Sequence, residues 1–172
     1  MRMSKRTVFV TLALLSMVVA IFAFLNRDYV LNRRLAQQKG EFYLCAGEEE
    51  FTISVNDILS LSPFSITANY KITGRGAASR IYQGVSFKAV VESLGIAYTE
   101  YQTVSFIGAD GYFSALRMAE AMDENNCYLV IAMDNEPLGT RENGGEGPIM
   151  MIMARDRFSQ RWCKYLVEVT LR

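Results

Sequence analysis

Residues Thr7 to Leu25 form an uninterrupted run, TVFVTLALLSMVVAIFAFL, with no charge, no proline and no glycine. Nothing later in the chain restricts its fate as tightly. At 1.5 Å per helical residue the run covers roughly 28 Å, close to the hydrocarbon thickness of a bilayer. It is apolar all round, so it lacks the polar face that a surface helix of a soluble domain presents. Arg2, Lys5 and Arg6 precede it as a basic n-region does, and no A-x-A pattern closes it. The sequence therefore predicts an uncleaved signal anchor, a transmembrane helix within residues 1–25. Arg27, Arg33, Arg34 and Lys39 follow the run, so the positive-inside rule alone leaves the orientation open. A short basic tail held in the cytoplasm puts the remainder outside, giving a single-pass cell-membrane protein with an extracytoplasmic C-terminal domain.

The zero formal net charge conceals a split. Residues 1–40 carry seven Lys/Arg and one Asp, whereas residues 41–172 carry eleven Lys/Arg and seventeen Asp/Glu, a net of −6. A domain this acidic is a poor partner for nucleic acid, because phosphate contacts need a basic surface. The chain also contains no histidine. That removes Ser-His-Asp and Cys-His nucleophile systems and histidine-based zinc sites. The three cysteines, Cys45, Cys127 and Cys163, form no C-x-x-C pair, so a zinc ribbon or a thioredoxin-like site has no support. Small buried apolar roles account for them best.

Periodicity divides the chain into an anchor (1–25), a polar juxtamembrane stalk (26–40) and one domain (41–172). Within the domain, 42–46 and 51–55 read as a hairpin. Asn56 is positioned to cap a short turn ending before Pro63. Residues 65–72 alternate apolar and polar as a half-buried strand does, 74–79 read as a loop, and 80–85 return to extended structure. Ser86 caps a helix over 87–94. A strand over 103–108 precedes Asp110-Gly111, and the spacing of Leu116, Ala119 and Met122 predicts a helix over 114–122. Residues 128–133 and 148–154 are apolar strands buried on both sides, and 167–171 is a final alternating strand. This order, ββαββαβαβββ, predicts an α+β domain with a mixed β-sheet.

Several local patterns recur in a familiar order. They are Tyr82-x-Gly84-Val85 before a helix, Asp110-Gly111-Tyr112, Asn135-Glu136-Pro137-Leu138 after a strand, Gly147-Pro148 into an apolar strand, and Trp162-Cys163-Lys164-Tyr165-Leu166. Together, from about residue 51 to 171, they resemble the molybdopterin-binding domain of the sulfite oxidase family. The resemblance implies that family's mixed-sheet fold and a molybdopterin cofactor whose molybdenum is held by a cysteine thiolate, a soft donor suited to a metal carrying dithiolene sulfurs. The matching segment here is Asn69-Tyr70-Lys71-Ile72-Thr73-Gly74, with Lys71 in the cysteine's place. Met150 stands where the family often has arginine, and the histidine before the glycine turn is absent.

What the resemblance leaves as cofactor- or ligand-binding candidates is Lys71, Arg75, Arg80, Asp110, Gly147 and Lys164. Asp110 also has a purely structural role open to it, since an Asp-Gly turn commonly uses the carboxylate to bond its own backbone. No catalytic or metal-ligating residue is assigned. The expectation is a membrane-tethered module that has lost the metal chemistry and holds no cofactor, with a small polar ligand or an envelope protein as its partner. An active molybdopterin-dependent oxidoreductase with an atypical site and a structural subunit of an envelope complex are the alternatives. The cleft-forming segments are expected at 73–80, 110–112 and 144–148, converging on one face.

Overall fold

The computed structural model describes residues 5–72, 76–156 and 158–172, without the side chains of residues 5, 7, 8, 10, 28, 29, 71, 72, 76 and 77. Two helices come first, α1 (Lys5–Leu25) and α2 (Arg27–Lys39). Among the described residues one helical stretch, Thr11–Lys39, is long and apolar enough to cross a membrane. Residues 1–35 form one compact unit and 36–172 a second. The second unit takes in 36–40 as well as the stretch that composition marks out, because Ala36 and Gln37 are buried.

Two five-stranded sheets make up that unit. The strands of the first are β1 (Glu41–Ala46), β2 (Glu49–Ser54), β5 (Thr103–Gly108), β6 (Phe113–Arg117) and β10 (Leu166–Leu171), in the order β2-β1-β10-β5-β6. β1 runs parallel to β10 and the other neighbours are antiparallel, so this sheet is mixed. The second sheet is antiparallel: β3 (Phe64–Ile72), β4 (Gly76–Ser86), β7 (Cys127–Met133) and β8 (Glu136–Pro137), with β9 (Met150–Met153) also paired to β7. The α+β class and the mixed sheet agree with the sequence reading. The second sheet is what that reading merged into one.

Local chemistry explains the elements. β1 alternates half-buried and buried residues, with Phe42, Leu44 and Ala46 facing in. β7 begins with four buried residues and β9 is buried throughout, as near-continuous apolar runs require. α3 (Val55–Ser60) starts one residue before the turn expected at Asn56. Its cap is Ser54, whose hydroxyl accepts from the Asp57 N–H while the Asp57 carboxylate accepts from the Ser54 N–H, a reciprocal capping box. α4 (Phe87–Ser93) is capped by Ser86 as expected, through the Ala89 N–H at 3.1 Å. Phe87 meets Phe106 of β5 edge-on at 5.1 Å.

The helix expected over 114–122 is a strand followed by a single turn. Phe113–Arg117 pairs with β5, and only Met118–Ala121 is helical, as α5. Burial there has period two, with Ser114 and Leu116 in and Phe113, Ala115 and Arg117 out. Three apolar residues at helical spacing were outvoted by the cross-strand partners that β5 supplies. β4 likewise starts at Gly76, inside the stretch read as loop.

One hydrophobic cluster joins both sheets, including Phe42 and Leu44 of β1, Phe106 of β5, Leu129 of β7, Val169 of β10 and all of β9. Gly84 is where β4 comes closest to β7. A Cβ there would overlap the Leu129 carbonyl and lie 2.7 Å from Val130 Cα, and the register shifts at this point.

Candidate functional site

The segment Trp162–Tyr165, just before β10, is where separate parts of the chain meet. Its backbone is tied on three sides. The Tyr165 N–H donates to the Glu146 carbonyl at 2.9 Å, the Ala109 N–H donates to the Tyr165 carbonyl at 2.8 Å, and the Cys163 N–H donates to the Met151 carbonyl at 2.9 Å. Tyr165 has φ +53°, an uncommon conformation for a bulky residue. Gly147, at φ +98°, lies directly against it. The glycine turn and the 108–112 turn therefore converge on Lys164 and Tyr165. Of the third expected segment, residues 73–75 lie outside the described residues.

Lys164 is the polar centre of this junction. Its ammonium donates to the Tyr70 hydroxyl at 2.8 Å, forms an ion pair with Glu146, and lies 5.0 Å from the Tyr70 ring centroid. Burial pulls the ammonium pKa down, but Glu146 and Tyr70 more than offset this, and the net displacement is upward. Beneath it, Trp162 packs against Tyr70 at 6.0 Å and edge-on against Tyr82 at 5.6 Å. The Trp162 indole N–H is fixed by the Met153 carbonyl at 3.0 Å. Tyr82 is fully buried and its hydroxyl finds no hydrogen-bond partner among the described residues. Burial pushes its phenol far above the ordinary range, with Glu146 and Tyr70 adding to the effect.

The other candidates are placed as follows. Gly147 belongs to the junction through its contact with Tyr165. Asp110 accepts from the Tyr112 N–H at 3.0 Å, stabilising its own turn. Arg80 is paired with Asp134 at 2.7 Å. Asp134 also accepts from the Ile81 N–H, and that bond first, then Arg80, holds its carboxyl below the usual range. The Lys71 side chain and all of Arg75 lie outside the described residues. Tyr70 is the β3 residue that reaches the junction, in phase with buried Ile66 and Ala68. Tyr70 and the ion pair of Lys164 with Glu146 were missed from sequence. The alternation of residues 66, 68 and 70 was the available signal.

Comparison with known families bears on this arrangement. The family model described as "oxidoreductase molybdopterin binding domain" matches residues 38–172. The chain belongs to that family. Among solved structures, the sulfane dehydrogenase SoxCD from Paracoccus pantotrophus superimposes with a TM-score of 0.63 over 78% of this chain, at 16% sequence identity. That likeness is one of fold, and this chain spans only 38% of the length of the SoxCD chain it matches. No curated protein matches the sequence significantly.

A molybdopterin-family domain invites the question whether these residues suit the cofactor. The family resemblance implies a molybdenum held by a cysteine thiolate, which would have to reach the cleft. Cys127 is wholly buried in β7, and burial above all, then Glu120, keeps it a thiol. Cys163 is wholly buried and its thiol faces the Lys164 carbonyl at 3.7 Å. Cys45 lies on β1 in the other sheet, its thiol pKa raised by burial and then by Glu50 and Glu168. The described residues contain no group of three or more His, Cys, Asp or Glu placed to hold a metal. Met150, in the family's arginine position, is fully buried. Among the described residues the junction offers the Lys164 ammonium, already paired with the Glu146 carboxylate, the phenols of Tyr70 and Tyr82, and the Arg141 guanidinium 5.9 Å from the Tyr165 ring centroid. These groups do not fit a thiolate-ligated molybdenum centre, and no chemical step is derived through one.

Proposed function

We propose that this chain is a membrane-tethered, extracytoplasmic binding module of the molybdopterin-domain family, without redox catalysis of its own. The observation that supports this reading is the donor set. The Lys164 ammonium at the convergence of the family's loops is neutralised by Glu146, and the two cysteines of the second sheet and its neighbouring segment are buried within the core. A small polar ligand at the Lys164 junction suits these groups better than a phosphate-bearing pterin, which calls for several uncommitted cations. Attachment through the N-terminal helix is in keeping with its length and apolar composition. The acidic balance of residues 41–172 argues against nucleic acid as a partner.

The test is metal and pterin content. Full-length protein, made in a host that synthesises the cofactor and purified in detergent, is expected to carry molybdenum and pterin fluorescence far below one equivalent. Near-stoichiometric molybdenum would overturn the reading in favour of an oxidoreductase with an atypical metal site.

A further inference from the structure

We propose that Tyr70, Tyr82 and Lys164 form a receptor for a small monoanionic carboxylate, and that the Glu146 side chain occupies that receptor as an internal stand-in. The inference rests on the reading of the domain as a binding module and names the ligand class for its site.

Lys164 contributes the positive charge. Tyr70 accepts from the ammonium and so keeps its own O–H to donate. Tyr82 has a completely buried hydroxyl with no partner among the described residues, which is costly unless something is there to receive it. Glu146 already supplies a carboxylate to one member of this set, through its ion pair with Lys164. The pair is reachable, with 32% and 24% of the Lys164 and Glu146 side chains exposed.

The exchange needs little movement. The Glu146 backbone is fixed at both ends of its peptide unit, its N–H donating to the Leu138 carbonyl and its carbonyl accepting from Tyr165, each at 2.9 Å. Rotation of the side chain alone frees Lys164. An incoming carboxylate then takes the ammonium and the Tyr70 hydroxyl, and the second oxygen meets the Tyr82 hydroxyl that Glu146 leaves without a bond. The rings of Tyr70, Tyr82 and Trp162 wall the site and keep the ligand small. The Lys164 ammonium, in a domain of net charge −6, favours one negative charge over two.

Trp162 is the only tryptophan and touches both tyrosines, so its fluorescence reports the site directly. Full-length protein in detergent is titrated with sodium acetate against equal sodium chloride, with sodium sulfate as the dianion control. A saturable change with acetate is expected, and Glu146→Gln should tighten it about tenfold by removing the competitor. Adding Tyr82→Phe to that variant should weaken it about fivefold, and adding Lys164→Met should abolish it. An acetate response equal to chloride, or one indifferent to Tyr82→Phe, overturns the proposal, and a stronger response to sulfate overturns the monoanion assignment. The melting temperature of the unaltered protein decides independently of whether the variants fold. It should rise with acetate over chloride, and identical series in the two salts would also overturn the proposal. A flat titration on molybdenum-free protein removes only this site, whereas stoichiometric molybdenum removes the module reading beneath it.

Discussion

Gly147 has φ +98°, and a Cβ built on it would lie 2.6 Å from Tyr165 Cα and 2.7 Å from Tyr165 N. Backbone on both sides of the contact leaves nothing flexible to give way. Gly147→Ala is therefore expected to cost about 2–4 kcal/mol, read from denaturant unfolding of the full-length protein. A loss within experimental error would mean that the glycine turn does not press on Tyr165. Lys164 supports a different measurement. Its folded-state pKa is raised, so the stability it confers is complete below its unfolded value of about 10.4 and is lost as pH rises through the folded value. Lys164→Met, which strips Glu146 and Tyr70 of their cation, should cost about 2 kcal/mol at neutral pH. The gap from the unaltered protein should close only above about pH 10. A gap that instead closes on acidification, with no change at alkaline pH, would assign the effect to the carboxylate rather than to the ammonium. Both residues stand out in the sequence as parts of Gly-Pro and Trp-x-Lys patterns. Their mutual dependence through Tyr165 does not, because it arises only when two loops some twenty residues apart are brought together.

At the scale of elements, sequence and structure part where a segment has two periods to choose from. Residues 114–122 carry apolar residues at helical spacing and, equally, Ser114, Leu116 and Met118 at a spacing of two. β5 settles the matter by offering a ladder from Thr103 to Ile107, and a serine thereby faces the core. The Ser114 hydroxyl is buried without a hydrogen-bond partner among the described residues. Ser114→Ala is accordingly expected to be neutral or to stabilise by up to about 1 kcal/mol, since an unsatisfied buried hydroxyl is worth less than none. Thermal unfolding checks the sign, and a clear loss would reveal an unseen partner for the hydroxyl. The strands with strong patterning, β1, β7, β9 and β10, were all legible, as was the Ser86 cap. β3 was legible as an element but not in the assignment of its side chains to the junction. Tyr70 reaches Lys164 from this strand, and the Lys71 side chain that the resemblance singles out lies outside the described residues.

At the scale of the whole molecule, the apolar run and the folded domain were legible separately, the first from composition and the second from an ordered set of weak motifs. The site between the loops was only half legible. The glycines and Lys164 mark where loops meet, while Glu146, Tyr70 and Tyr82 acquire meaning only from their placement around that lysine. For the proposed membrane-tethered module, flanking charge bears on the side of the membrane on which the domain lies. Arg2, Lys5 and Arg6 before the run face Arg27, Arg33, Arg34 and Lys39 after it, so flanking charge is nearly even. Long domains cross largely regardless of their own charge, so the acidic 41–172 stretch does not oppose export. The thiols are consistent with an oxidising exterior: Cys127 and Cys163 are wholly buried and Cys127 is held as a thiol, which keeps them from forming stray disulfides. Alkaline phosphatase fused after Arg172 is thus expected to be active and a cytoplasmic reporter at the same position silent. Replacing Arg2, Lys5 and Arg6 by Asn leaves the positive charge on the domain side alone, so a fraction of molecules should then invert and the cytoplasmic reporter should rise. A cytoplasmic signal from the unaltered chain, unchanged by those substitutions, would place the domain inside.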